Sequence, residues 1–348
     1  MERFMAVSSS TIQCSTEEIV AKRTRDVIID ENGVKNLAKE VVDFMLSNQD
    51  STILSTTFIR QLPGLYPSFF DIRSGDWLFL LHTLNFSLYI PKSTRQWTVN
   101  NYTGFWALCS AIKRAIDNNE LVWHPNYYMN ISQSEMEYIF RGDDPEITLP
   151  HLKERRIVLN YVGKTLKKKY KGLFLNCIRA SGYNAKKLMT MLFNFDSYQD
   201  EVTYYGEKIR LYTKAKILIS DLRAYFPISQ ELQPVTSTLL VDYCAPQVLL
   251  HFKAIRYTQY LNLLIRDGTL YVGDIEELEL RCCYIYAVQV VCEEVRKMCA
   301  EYVGRSTALD TLISHISTVV DNFIFHYQLT HSDGLSTVPF HYVKTTNY

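Results

Sequence analysis

A mainly α fold, organised as one compact helical domain with a small β-hairpin, is what this 348-residue chain predicts. Three observations carry that prediction. Apolar residues recur at three- and four-residue spacing along most of the chain. Only the stretch EVTYYGEKIRLY, 201–212, alternates apolar and polar residues about a glycine, as a short hairpin does. No fixed-period repeat, low-complexity linker or Gly/Ser hinge divides the chain, and its length suits one large domain.

The elements follow in order. Residues 1 to about 15 read as a polar, flexible tail, and the domain runs from 16 to 348. Ser15 or Thr16 then offers an N-cap, with Glu18 in capping-box position. The ENGV stretch at Glu31–Val34 reads as a turn. From Val34 the stripe Leu37, Ala38, Val41, Val42, Met45 marks a helix. DWLFLLHTLNFSLY, 76–89, is nearly all apolar and too long for an ordinary strand, which favours a buried helix. The next helix has Thr103 in cap position and Asn118 near its stop. After the hairpin, Lys214 to Tyr225 forms a helix ended by Pro227. A long helix begins near Asp274, acids first and bases last, as the helix dipole favours.

Composition narrows the partners. Lys plus Arg equals Asp plus Glu at 37 each, so no overall field steers the molecule toward nucleic acid or an acidic membrane. The eight cysteines include no C-x-x-C pair, and several occupy apolar helical positions, as reduced structural thiols do. The first residues lack a signal peptide's apolar core, and the stretch from Trp77 to Ile90 falls short of the ~20 residues that cross a bilayer. The expected location is the cytoplasm, with the nucleus as second compartment.

The chemistry-bearing signals are few. There is no glycine-rich phosphate loop, no H-E-x-x-H and no G-x-S-x-G. His326, His331 and His341 are five and ten residues apart, spacings that do not stack imidazoles on one helical face, so no metal site is expected. The run Lys164–Gly172 is basic, but a lone basic helix face is usually just solvated, and no direct nucleic-acid contact is expected. Asp242 stands out because burying an unpaired carboxylate in an apolar segment costs several kcal/mol, so such an acid usually has a partner, a perturbed pKa or a task. The residues alone leave it equally an N-cap for a helix running through Gln247 to Phe252, paired with a nearby lysine, and a functional acid. Asp321 poses the same question, with a polar-face position as its plain reading, since Val320, Phe323 and Ile324 supply a buried stripe without it.

Read together, DWLFLLHTLNFSLY, YTGFWALCSAIKRAID, KAKILISDL, VDYCAPQVL, GDIEELELR and VVDNFIF...PFH resemble the queuosine salvage family of queuosine 5'-phosphate N-glycosylases, in the family's order and over nearly the whole chain. The resemblance implies a helical fold similar to DNA glycosylases. It implies a small-molecule nucleotide substrate, queuosine 5'-phosphate, cleaved by water alone to queuine and ribose 5-phosphate, without metal or organic cofactor. Asp242 matches the acid of the family's Asp-Tyr-x-x-Pro-Gln motif, where a carboxylate stabilises or attacks the charged sugar or orients the water. Asp321, in the matching C-terminal motif, suits bidentate acceptance from a guanine-like base. Tyr243 lines the sugar or base in this reading, while Glu279 and Arg281 are as readily a structural ion pair.

The chain departs from the family's pattern at particular places. Family members have histidine at Pro63, aspartate at His82, phenylalanine at Leu240, arginine at Cys244, and a Trp-Asp pair at Phe325 and His326. Thr213 stands where the lysine that pairs with the catalytic acid is expected. Without it the pKa of Asp242 rises, and Lys214 is the substitute cation at hand. Lys214, Leu240 and His326 therefore join Tyr243 and Asp321 as expected substrate contacts. The alternative reading is a diverged, non-catalytic paralogue that binds a nucleotide or nucleobase without turnover.

Overall fold

The computed structural model describes residues 16–48, 63–67, 73–88, 95–229, 244–339 and 341–347. Within them the chain is mainly helical, and each sheet is one antiparallel pair of strands. The polar N-terminal stretch, 1–15, lies outside the described residues. Helix α1 (Thr16–Arg23) leads through strand β1 (Val27–Ile29) to α2 (Glu31–Ser47). Here the expected turn at ENGV is corrected: those residues are the first turn of α2. Asp30 is its N-cap, its carboxylate accepting from Asn32 N at 3.0 Å and Gly33 N at 3.1 Å. Gly33 is present for close approach, since a Cβ there would sit 2.1 Å from the Lys253 carbonyl oxygen.

Every residue of α3 (Ser74–Leu84) is buried, which is why the run Trp77 to Leu81 at its centre is apolar without a polar stripe. One acid survives inside it. Asp76 accepts from Phe174 N at 2.6 Å and Leu175 N at 3.3 Å, and burial nonetheless pushes its carboxyl up to about 6. Strands β2 (Thr98–Val99) and β3 (Tyr102–Thr103) precede α4 (Gly104–Asp117). Thr103 occupies the N-cap position of α4 as expected, but its side chain makes no cap bond. Short helices α5 (Pro125–Tyr128) and α6 (Gln133–Ile139) lead to α7 (Leu152–Lys169), α8 (Phe174–Ala180) and α9 (Ala185–Leu192).

The hairpin appears where alternation placed it, as β4 (Glu201–Tyr204) and β5 (Glu207–Arg210), with Gly206 at φ 84 in the turn. Tyr204, Ile209 and Leu211 bury against Val20 of α1 and, later in the chain, Leu278 and Cys282 in a small second cluster. Helix α10 (Thr213–Leu222) starts one residue before Lys214 and stops three short of Tyr225. Then come α11 (Cys244–His251), strand β6 (Ile255–Tyr257), which pairs with β1, and α12 (Gln259–Asp267). Helix α13 (Ile275–Cys299) is the long helix expected from Asp274, and α14 (Thr307–Ser314), α15 (Ile316–Thr330) and α16 (Ser332–Leu335) follow. The main core spans helices from α2 to α16, and the six thiols Cys109, Cys177, Cys282, Cys283, Cys292 and Cys299 are free and buried. No described helix is long and apolar enough to cross a membrane.

The C-terminal tail, 341–347, lies against α13, α7 and the segment after α3. The His341 ring lies 3.4 Å from Tyr284 OH on α13, and Tyr342 OH lies 3.1 Å from His151 Nε2. Lys344 pairs with Glu154 at 2.9 Å, and Ser87 Oγ donates to the Thr345 carbonyl at 2.7 Å. Burial, with help from Arg281, lowers the His341 pKa to about 3, so this ring is neutral.

Candidate active site

Asp242, Tyr243 and Leu240 lie outside the described residues; α11 begins two residues after Asp242. Pro63 opens a short 3-10 turn, Pro63–Leu65, and Cys244 opens α11. The remaining expected site residues fall on α3, α10 and α15.

Asp321 is 5% exposed, so the polar-face reading is corrected: this carboxylate is inside, next to the equally buried Asn322. It lies close enough to Cys292 that its charge, after burial itself, raises that thiol's pKa. Four residues on, Phe325 shares its face of the helix, and the Phe325 ring lies 6.3 Å from Trp106 on α4. Trp106 is 5.7 Å from Phe105, whose ring lies 6.4 Å from His82. A chain of rings therefore runs from the Asp321 turn of α15 across α4 to α3. His326, five residues beyond Asp321 and so turned by roughly 140° on the helix, is exposed and stacks obliquely on Phe44 at 5.5 Å.

The α3–α10 contact carries a dyad that the sequence reading missed. His82 Nε2 and Asp221 Oδ2 are 2.8 Å apart, both fully buried, with Tyr66 OH 3.4 Å from the same oxygen. The acid in the apolar run ILISDL was the available signal, of the same kind that singled out Asp242. His82 Nδ1 and Thr213 Oγ1 have no hydrogen-bond partner among the described residues although both are buried. Buried polar atoms left unsatisfied cost about 1–3 kcal/mol each, and no described residue supplies the missing partner here. At both positions the resemblance leads to the expectation of a different residue.

Lys214 is 4% exposed. Its ammonium donates to the carbonyls of Thr346, at 2.7 Å, and Thr83, at 3.4 Å, and sits over the Phe86 ring at 4.9 Å. Burial, then the charge of Arg155, bring its pKa down to about 7. Its described partners are thus carbonyls and rings, and it fastens the tail to the first turn of α10. Lys214 binds a proton more weakly folded than unfolded. Between about pH 7 and 10.5 the unfolded chain holds more protons here, so stability from this group rises with pH across that window. We expect the stability of wild type relative to Lys214→Met to increase by up to roughly 4 kcal/mol from pH 7 to 10. Denaturant titrations of both proteins across that range check this; parallel curves would show the amine to be solvated.

Glu279 and Arg281, held open as a mutual ion pair, have separate partners. Arg281 Nη1 donates to Asp200 Oδ1 at 3.0 Å, with Glu277 at 3.6 Å. Glu279 accepts from Tyr204 OH at 2.7 Å and Thr24 Oγ1 at 2.6 Å. Both are structural ties between α13 and its neighbours. His331 stacks on Tyr327 and His341 meets Tyr284, so the three histidines have different neighbours. No group of three or more His, Cys, Asp or Glu among the described residues is placed to hold a metal ion.

A cavity of about 300 Å³ lies under the tail, between Phe86, His151, Glu154, Val272 and residues 344–347. Val272 precedes the start of α13, whereas Cys292 beside Asp321 is 17 residues along it, roughly 25 Å of helix away. This cavity and the Asp321 turn are different places.

The frame defined by these residues is that of a mainly helical protein whose chemistry-bearing groups are buried carboxylates set on helices around an aromatic interior. The chain belongs to the queuosine salvage protein family, whose model matches residues 68–348. It is 30% identical to the mouse (Mus musculus) protein named queuosine 5'-phosphate N-glycosylase/hydrolase, over 94% of this chain and 96% of that one. The cattle (Bos taurus) protein of the same name is 28% identical over 95% and 97%. That of the bacterium Sphaerobacter thermophilus is 32% identical over 68% and 72%.

Proposed function

We propose that this protein hydrolyses the N-glycosidic bond of queuosine 5'-phosphate and so releases queuine for salvage. The observation that carries the reading is end-to-end likeness: relatives bearing that name align over nearly the full length of both chains. The C1'–N bond breaks, the water oxygen bonds to C1', and a proton ends on the leaving nitrogen. Positive charge on the sugar is met by the Asp242 carboxylate. Asp321 accepts from the base's N–H donors, a role its burial supports, because a carboxylate removed from water makes stronger, more selective hydrogen bonds. The cytoplasm is the proposed site of action.

Mixing the purified protein with queuosine 5'-phosphate and quantifying free queuine by mass spectrometry tests the reading directly. Binding without release would favour the non-catalytic paralogue, the reading that Thr213 in place of a lysine and the carbonyl-bound ammonium of Lys214 speak for. If Asp321 reads the base, Asp321→Asn replaces one acceptor oxygen by a donor. It should reduce kcat/KM roughly a hundredfold, about 3 kcal/mol in transition-state binding. An unchanged kcat/KM would remove Asp321 from the site.

A further inference from the structure

We infer that the first turn of α10 is a binding site for phosphate or a phosphate monoester. A helix leaves its first N–H groups without acceptors inside the helix, and something outside it has to take them. In α10 the ladder begins with Lys216 N donating to the Tyr212 carbonyl at 3.0 Å. The N–H groups ahead of it, those of Thr213, Lys214 and Ala215, have no acceptor among the described residues, and the N-cap residue Tyr212 supplies no side-chain bond. All three residues are buried, so bulk water does not take the acceptor's place. The N-terminus of α8 shows what fills such an end elsewhere in this fold. There the Asp76 carboxylate, reaching over from α3, accepts from Phe174 N and Leu175 N. No carboxylate among the described residues does the same for α10.

The side chains of the same turn carry the inference beyond a bare helix end. Thr213 is 2% exposed, and its hydroxyl has no hydrogen-bond partner among the described residues. Side chains on a helix tilt toward its N-terminus, so this hydroxyl faces the way the three N–H groups do. Lys214 adds a cation. Its ammonium is held by the Thr346 and Thr83 carbonyls and by the Phe86 and Tyr198 rings, with no carboxylate within ion-pair distance among the described residues. Asp200, the acid whose charge reaches it, is engaged by Arg281. Three N–H groups, a hydroxyl and an ammonium at the positive end of a helix all donate, and what they have in common is the demand for an anion. Phosphate suits the set better than a carboxylate does, because it brings three terminal oxygens and a charge of about −1.5 to −2 at neutral pH. Phe86 and Thr346 both touch the ammonium and both line the cavity under the tail, so open space ends one residue away from Lys214.

Lys214 links the site to pH. The charged and titratable groups around its ammonium are Arg155 of α7, Asp200 before β4 and the Tyr198 phenol, whose own pKa burial raises; α3 and the tail present carbonyls. Burial and Arg155 hold the ammonium's pKa near 7, and a bound anion favours the charged form and raises it again. Affinity for sulfate, an anion of the same shape whose charge is constant, therefore holds below about pH 7. Above that it falls, by up to about tenfold per pH unit, until the pKa of the bound state is reached.

The test is calorimetric titration of the full chain with inorganic phosphate, sulfate and ribose 5-phosphate, with acetate as the carboxylate control. Phosphate or its ester should bind at least about tenfold more tightly than acetate. Thr213→Val keeps the branched shape and removes only the hydroxyl, and it should weaken phosphate binding about tenfold, while Thr213→Ser should restore most of the loss. Without phosphate, Thr213→Val should unfold at or above the wild-type Tm, because the hydroxyl it removes is unsatisfied in the fold. Lys214→Gln should abolish the pH dependence of sulfate binding. Two further measurements separate the sources of the phosphate. If the group is the substrate's own, inorganic phosphate competes with queuosine 5'-phosphate in queuine release and the unphosphorylated nucleoside is a poorer substrate; if it is a separate ion, phosphate binds without competing. The inference falls if none of the three anions binds, if acetate binds as tightly, or if Thr213→Val leaves the affinity unchanged. The titrations do not depend on queuine release, so a failure of the proposed reaction leaves their outcome intact.

Discussion

Replacing Asp242 by Asn is expected to lower queuine release from queuosine 5'-phosphate about a thousandfold, roughly 4 kcal/mol of transition-state stabilisation, without altering the fold. The substitution conserves size and removes only the charge. An amide carries no net charge to set against an oxocarbenium-like sugar, it is a poor nucleophile, and it orients water weakly, so each of the three roles open to the carboxylate is lost together. Circular dichroism and thermal unfolding should stay close to wild type, because Asn matches Asp in size and serves equally well as a helix N-cap. A pH profile adds a second readout. If the lysine of the family's pattern pairs with this acid as the resemblance implies, Thr213→Lys should extend activity toward acid pH. Wild-type rates in the Asp242→Asn protein would show that the charge lies elsewhere.

The parts of this molecule that were legible in the sequence are those decided by neighbours along the chain. The apolar stripe from Val34 placed α2, the length of an all-apolar run placed α3, the order of acids and bases placed α13, and alternation about Gly206 placed β4 and β5, each a pattern of residues close together in the chain. ENGV misled because Asn-Gly is a turn signal locally. It is overridden by the Asp30 cap and by the approach of Lys253, 220 positions away in sequence, which only a glycine admits. Asp321 could not be placed inside or outside by its stripe, since α15 buries eight residues over much of its circumference. Partner choice was the least legible. Nothing near Arg281 in sequence indicates Asp200, and nothing near His82 indicates Asp221, because both pairs are made by helices and loops meeting in three dimensions. Asp242 was singled out as an acid in an apolar segment, but its role came from the likeness of whole motifs and not from spacing.

Asp200→Ala should be the most damaging substitution for stability, at about 3–5 kcal/mol, seen as a fall of roughly 10 °C in Tm. Arg281 is 1% exposed and its guanidinium meets Asp200 through both terminal nitrogens, Nη1 at 3.0 Å, while Glu277 is more distant at 3.6 Å. Removing the nearer carboxylate leaves a buried cation whose lost hydration is no longer offset by its closest anion. The damage should be directional. Arg281 lies on α13 one turn past the Leu278 contact with the hairpin, so α1, β4 and β5 should exchange amide hydrogens faster before the α11–α15 region does. Replacing both partners, Asp200→Leu with Arg281→Met, should recover much of the loss, because an apolar pair needs no desolvated charge to be satisfied. Release of queuine at low temperature should survive in the single variant, since the pair ties α13 to the loop before β4. A Tm within about 2 °C of wild type for Asp200→Ala would mean that Arg281 finds an equivalent anion, with Glu277 as the one in place to supply it.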